Sequence, residues 1–317
     1  MSTSIFPLPK LFNKSITLLL LLGPKICFAF QGKIELLPWW FWPLALFVTC
    51  FLIGVVAVPA GIGGGTLFVP IVGGFFPFHL DFVRGTGLLV ALASALSAGP
   101  VLLRHGLASL RLALPMALVA SVTSIAGAII GFALPVSIIQ VLLGVLILAI
   151  VGLMLSVKNS EFPNVSKPDA LGVMLGIRGV FIDGSTGKEV GWQVHRTPFG
   201  ILLFVVIGIL AGMFGIGAGW ANVPALNLVM GAPLKIAAGS SSVVLSMVDS
   251  VAAWVYINRG AALPLIAVPS VLGMLLGAKI GARLLHVLPS KTLRRLVIAV
   301  LVFAGLRAFS KGLGLWA

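Results

Sequence analysis

The chain has 317 residues, of which 60% are apolar and only 9% charged, with a mean hydropathy of +1.20. A soluble fold of this length needs far more charge to cover its surface, so composition excludes a water-soluble globular protein and makes lipid the solvent. The net charge of +14 does not imply nucleic acid: the basic residues sit at the ends of apolar runs, where they report membrane orientation, and a positive field of this size draws anions.

In chain order, residues 1–31 carry Lys10 and Lys14, the apolar run Ser15–Leu22 and a small-residue site at Cys27–Ala29, a pattern that suits either a signal peptide or an N-terminal anchor helix. Both place Trp39, Trp40 and Trp42 on the outer side, as an interfacial aromatic belt. Apolar segments follow at 41–58, 66–78, 84–103, 112–134 and 136–157, and again at 199–213, 220–231, 238–257, 262–287 and 290–310. Between the two sets, residues 158–197 form the one long polar stretch, expected as a cytoplasmic loop, with a small hairpin around the Gly/Ser turn of Val180–Val190. Gly187-Lys188 is followed by Glu189 rather than Ser or Thr, which excludes a phosphate loop.

The two sets are related. Gly61–Pro70 (GIGGGTLFVP) matches Gly215–Pro224 (GIGAGWANVP), 154 positions apart, and the same offset carries Gly85 to Gly239, Gly106 to Gly260, Pro115 to Pro269, Gly127 to Gly281 and Pro135 to Pro289. The repeats span 41–157 and 198–317. Each crosses the membrane three or five times, depending on whether its first two segments are full crossings or a re-entrant hairpin. An odd count inverts the second repeat. The expected fold is therefore an all-α membrane protein, a polytopic helical bundle of two inverted repeats with helix-breaking glycine motifs. The positive-inside bias agrees: 104–111, 158–197 and 283–295 fall inside and hold Arg104, Arg111, Lys158, Lys167, Arg178, Lys188, Arg196, Arg283, Lys291, Arg294 and Arg295.

A glycine cluster within a membrane segment breaks the helix and frees backbone N–H groups, which are tolerated there only when buried in protein or facing a wet cavity. Two helix amino termini following such breaks aim partial positive charge at one place. On this logic Gly63, Gly64, Gly65, Gly217 and Gly219 are the candidate backbone donors, and Thr86, Asn222, Ser240 and Ser241 the candidate side-chain donors, for a small anion. The competing reading of the glycines is close helix packing, and of the serines, bonds to their own backbone. Asp249, the only acid well inside an apolar run, is the candidate for ion coupling or for a structural hydrogen bond; its counterpart in the first repeat is Ala95. Arg84 is expected as an interfacial anchor pairing with Asp81. Cys27 and Cys50 have neither metal nor disulfide spacing and no histidine pair has ligand spacing, so no metal or cofactor is expected.

At these motifs the chain resembles the sulfite exporter TauE/SafE family of membrane proteins. The matching residues are Gly61–Gly65 with Val69-Pro70 and Gly212–Gly219 with Val223-Pro224. Each copy is followed by a small-hydroxyl segment, Arg84–Gly87 or Ala238–Ser242, and ends at a basic corner, Arg104–Gly106 or Asn258–Gly260. Ala218 stands at the middle glycine of the second motif, and Gly87 where the family more often has serine. The resemblance implies a secondary transporter in the cell inner membrane that moves sulfite, an organosulfonate or a related anion, driven by an ion gradient. Its partners are the small anion, the lipid bilayer and, as an option, a second copy of the chain in a homodimer. A passive anion channel shares the same anion-binding features. An intramembrane enzyme needs a nucleophile and base, or two acids, at membrane depth, where only Asp249 and isolated serines are available. A membrane sensor would place function in the central loop.

Overall fold

The computed structural model describes residues 38, 40–57, 63–104, 106–156, 168–182, 189–284 and 290–314. The leader or anchor expected over 1–31, Gly61 and the turn of the central hairpin lie outside the described residues. The chain divides into two compact units, Met1–Trp42 and Pro43–Ala317, and both glycine motifs and all the long helices belong to the second.

The first five helices are α1 (Phe41–Ala57), α2 (Gly64–Phe75), α3 (Leu80–Arg104), α4 (Leu110–Ala133) and α5 (Val136–Ser156). A short helix α6 (Ala170–Met174) and the strands β1 (Arg178–Ile182) and β2 (Glu189–Gln193) come next. The strands pair antiparallel with Val180 opposite Gly191. The second set is α7 (Thr197–Phe214), α8 (Gly219–Pro224) running into a π-helical turn (Ala225–Val229), α9 (Leu234–Asn258), α10 (Pro264–Leu284) and α11 (Ser290–Gly312).

Among the described residues six helices are long and apolar enough to cross a membrane: Leu80–Ser97 within α3, α4, α5, α7, α9, and Pro264–Gly281 within α10. The outward faces carry apolar stripes at helical spacing, such as Leu114, Leu118, Val122, Ile125 and Ile129 on α4 and Leu265, Val268, Leu272 and Leu276 on α10. Exposed stripes of this kind are solvated by hydrocarbon. The chain is an all-α polytopic membrane protein. The arms α2 and α8 are different. With 12 residues α2 is only about 18 Å long. The six of α8 and five of the π turn reach about 16 Å. Neither arm spans the ~30 Å of a hydrocarbon core.

Packing places α4 against α7 and α9, α3 against α2, α9 and α10, and α5 against α11. Several contacts occur twice, with the roles of the two sets exchanged at the 154-residue offset. A Cβ added at Gly85 would strike the carbonyl of Ala261, and one at Gly239 the carbonyl of Leu107. A Cβ at Gly54 would meet the carbonyl of Met274, and one at Gly208 that of Ala120. The glycines are thus the points where helix backbones touch, which lets a bundle with no hydrophobic driving force in lipid gain dispersion contact.

Candidate functional site

The glycine stretches of the two sets meet. Gly63 immediately precedes α2 and Gly219 opens α8. A Cβ on Gly219 would lie 3.0 Å from Gly63 N and 3.2 Å from Gly63 Cα, and one on Gly63 would lie 3.7 Å from Gly219 Cα. Leu245 of α9 rests a methyl against both. This contact leaves no room for a solute between the two backbones.

Around it, each broken helix is fitted to α3 or α9. Gly65 lies where a Cβ would come within 2.9 Å of Ala91 Cβ and Gly87 O, and 2.8 Å of Ile216 O. Thr66 Oγ1 donates to the same Ile216 carbonyl at 3.4 Å. Gly64 N–H donates to Ser94 Oγ at 3.2 Å. On the other side α7 ends at Gly215 with φ 68, and Gly217 follows with φ 71. These are left-handed conformations that a side chain disfavours, so the break is written into both positions. A Cβ on Gly217 would sit 3.0 Å from Ala91 Cβ and 3.1 and 3.4 Å from the two oxygens of Asp249.

Helical spacing explains which residues face this centre. On α9, Ser241, Leu245 and Asp249 recur every four residues and share one face. On α3 the equivalent face carries Gly87 and Ala91, with Ser94 one turn beyond Ala91. Ser240 turns away: its hydroxyl accepts from Ser109 N–H at 3.0 Å and anchors the loop before α4. The structure therefore separates the two candidate serines.

Of the backbone donors expected from the motifs, Gly64 is engaged by Ser94 Oγ, and the next residue past Gly65, Thr66, gives its N–H to Gly63 O at 3.1 Å. Among the described residues, Thr86 Oγ1, both amide atoms of Asn222, Trp220 Nε1 and both carboxylate oxygens of Asp249 are buried without a hydrogen-bond partner. Thr86, Asn222 and Asp249 are wholly buried. Buried polar atoms are nearly always paired, because leaving one unpaired costs about 1–3 kcal/mol. Trp220 is the member that sequence reasoning missed; its only signal was its place one residue after Gly219.

Arg84 is not the interfacial anchor expected from sequence. It is 2% exposed and is the largest fully buried side chain among the described residues. Its pairing with Asp81 is present. The rest of its guanidinium is held by carbonyls: Nη1 donates to Met213 O at 2.9 Å and to Gly131 O at 3.1 Å, and the group lies over Phe132 and Tyr256 at 5.5 and 5.7 Å. Tyr256, the chain's sole tyrosine, donates its hydroxyl to Gly212 O at 2.9 Å and reaches Met213 O at 3.3 Å. Helix α7 breaks just beyond, so its last carbonyls have no partner in their own helix. Arg84 and Tyr256 clamp that end.

Comparison with known proteins bears on these features together. The family model described as sulfite exporter TauE/SafE matches residues 46–308, most of the chain. A protein described as probable membrane transporter protein YunE, from Bacillus subtilis (strain 168), is 25% identical over 276 residues, covering 84% of this chain and 97% of that protein. No solved structure matches.

Proposed function

Since the chain belongs to the sulfite exporter TauE/SafE family and is a multi-pass membrane transporter, we infer that it is a secondary transporter moving sulfite, an organosulfonate or a related sulfur oxyanion across the inner membrane, coupled to an ion gradient. One observation carries this reading: buried, unpartnered polar side chains lie on the helices that bear or pack against the two glycine stretches, Thr86 on α3, Trp220 and Asn222 on α8 and Asp249 on α9, the last with its carboxylate beside Gly217. The donors of Thr86, Asn222 and Trp220 match the acceptor oxygens of an oxyanion and carry no formal charge, so they can also release it. Ser241 adds a hydroxyl on the face of α9 that looks toward the glycines. Gly63, Gly64, Gly65, Gly217 and Gly219 permit the close approach of the arms, and Ser240 holds the loop beside them. Asp249 is the coupling group.

The closed Gly63–Gly219 contact supports a carrier over an open channel, since a solute can enter only when the arms part. The exchanged contacts at the 154-residue offset support two inverted repeats, with the arms as re-entrant elements and the central segment on the cytoplasmic side. The test is flux of labelled sulfite into proteoliposomes, with sulfonates, sulfate and thiosulfate as competitors, with and without an ion gradient. Saturable, gradient-dependent uptake is expected. Uptake that does not saturate and ignores the gradient would convert the assignment to a channel, and a panel that is neither carried nor competes would remove the substrate class.

A further inference from the structure

The carboxyl of Asp249 is oddly placed for an anion carrier. It is wholly buried, neither oxygen has a hydrogen-bond partner, and among the described residues no lysine, arginine or histidine pairs with it. The charged groups on the surrounding elements are accounted for elsewhere. Helix α9 packs against α3, α4, α7, α8 and the π turn, and the last three carry no titratable side chain. Helix α3 brings Asp81 and Arg84, which pair with each other, and Arg104 at its far end. Helix α4 brings Arg111, whose Nη1 lies 3.8 Å from the Cβ position of Gly176 in the central segment. On α9 itself Lys235 lies in the first turn, and Tyr256, two turns past Asp249, is bound to the end of α7. Leu245 touches both Gly63 and Gly219, so Asp249, four residues on, stands about 6 Å along the helix axis from the glycine contact.

We propose that the site around Asp249 is a charge filter: the carboxyl takes up one proton with each singly charged oxyanion, and with no cation beside it the site rejects dianions. The inference rests on the anion site described above and specifies its cargo and its coupling ion. Two negative charges about 6 Å apart at an effective dielectric of about 20 repel enough to weaken anion binding on the order of 100-fold, so a bound anion drives the proton onto the carboxyl. The proton lifts that repulsion for a dianion too; a dianion is rejected because no cation among the described residues stands there to offset its second buried charge. Thr86, Asn222 and Trp220 are neutral donors, so they cannot offset a second charge. Linkage is reciprocal: a bound anion favours uptake of the proton by the same factor. Proton and anion enter from one side and leave on the other, the carboxylate is regenerated, and no bond within the anion changes.

The experiment uses the full-length protein in proteoliposomes with methanesulfonate and sulfate, which keep one and two charges throughout the neutral and mildly acidic range. Methanesulfonate entry is expected to bring protons, read by a lumenal pH dye, with KM rising as pH rises. Sulfate is expected to compete on the order of 100-fold more weakly. Asp249→Asn should lose both the pH dependence of KM and the proton movement, and Asp249→Glu should keep them. The comparison of methanesulfonate with sulfate in the unaltered protein needs no variant to fold. Equal competition by sulfate, drive by sodium ions in place of protons, or an Asn variant with unaltered pH dependence and proton flux would each overturn the filter while leaving the anion site standing. Absence of any anion movement in the unaltered protein would remove the site and the filter together.

Discussion

Replacing Arg84 by methionine removes the clamp on α7 while preserving most of the side chain's volume, so little of the effect comes from a cavity. Two charge-assisted bonds to carbonyls are lost, at 2.9 and 3.1 Å, each worth about 1.5–3 kcal/mol. Some of that is recovered, because Tyr256 still reaches Met213 O at 3.3 Å. The pair with Asp81 adds less, since Asp81 is 27% exposed and its charge returns partly to solvent. Removing one partner of a buried charged network costs about 3–5 kcal/mol overall. At about 2–4 °C per kcal/mol, the melting temperature should fall by roughly 6–20 °C, read as the thermal unfolding of the detergent-solubilised protein by tryptophan fluorescence. Asp81→Asn should cost no more than about 1 kcal/mol, because the bonds from Arg84 to the carbonyls survive. A methionine variant that melts within about 2 °C of the unaltered protein would refute the clamp.

Thr86→Val and Asn222→Leu should each lower sulfite flux at least about tenfold while raising thermal stability by roughly 1–2 kcal/mol, since each removes buried groups that lack partners; parallel flux and melting measurements check both signs. Gly85→Ala and Gly239→Ala should be equally damaging, because each drives a Cβ into the backbone carbonyl of a neighbouring loop. By contrast Gly99→Ala, with Ser242 Cβ 3.7 Å away as its nearest neighbour, should be neutral or stabilise by about 0.5–1 kcal/mol. The yield of monodisperse protein on size exclusion separates these cases.

Much of the fold was legible in the sequence because hydrophobic length and backbone breaks are local properties. The run expected at 112–134 is α4 at Leu110–Ala133, and the hairpin expected around 180–190 is the β1–β2 pair. The sequence left open whether the first two segments of each set cross the membrane; the structure shows that α2 and α8 are each too short to do so alone, whereas α7 is long enough. The site was legible in part. The 154-residue offset singled out the glycines, and the polarity of Thr86, Asn222 and Asp249 within apolar runs flagged them. Their partners, or lack of them, depend on what stands opposite, which periodicity does not carry. Ser240 and Ser241 are indistinguishable in sequence, yet a rotation of about 100° per residue sends one to the Ser109 loop and the other toward the glycines. Arg84 looked like a membrane-edge cation because its burial depends on the carbonyls that α7 leaves unpaired, far away in the chain.

The exchanged contacts of glycine with carbonyl give the two sets the same joints, yet their side chains have diverged. Where the later set has Asn222, Asp249 and Tyr256, the earlier has Phe68, Ala95 and Leu102. A protein assembled from two earlier sets would keep the joinery and have no amide or acid at these positions, whereas one assembled from two later sets would carry a carboxyl at both. Two sets that share their joints thus differ in charge: an unpaired buried acid stands at 249, and an alanine at its counterpart 95.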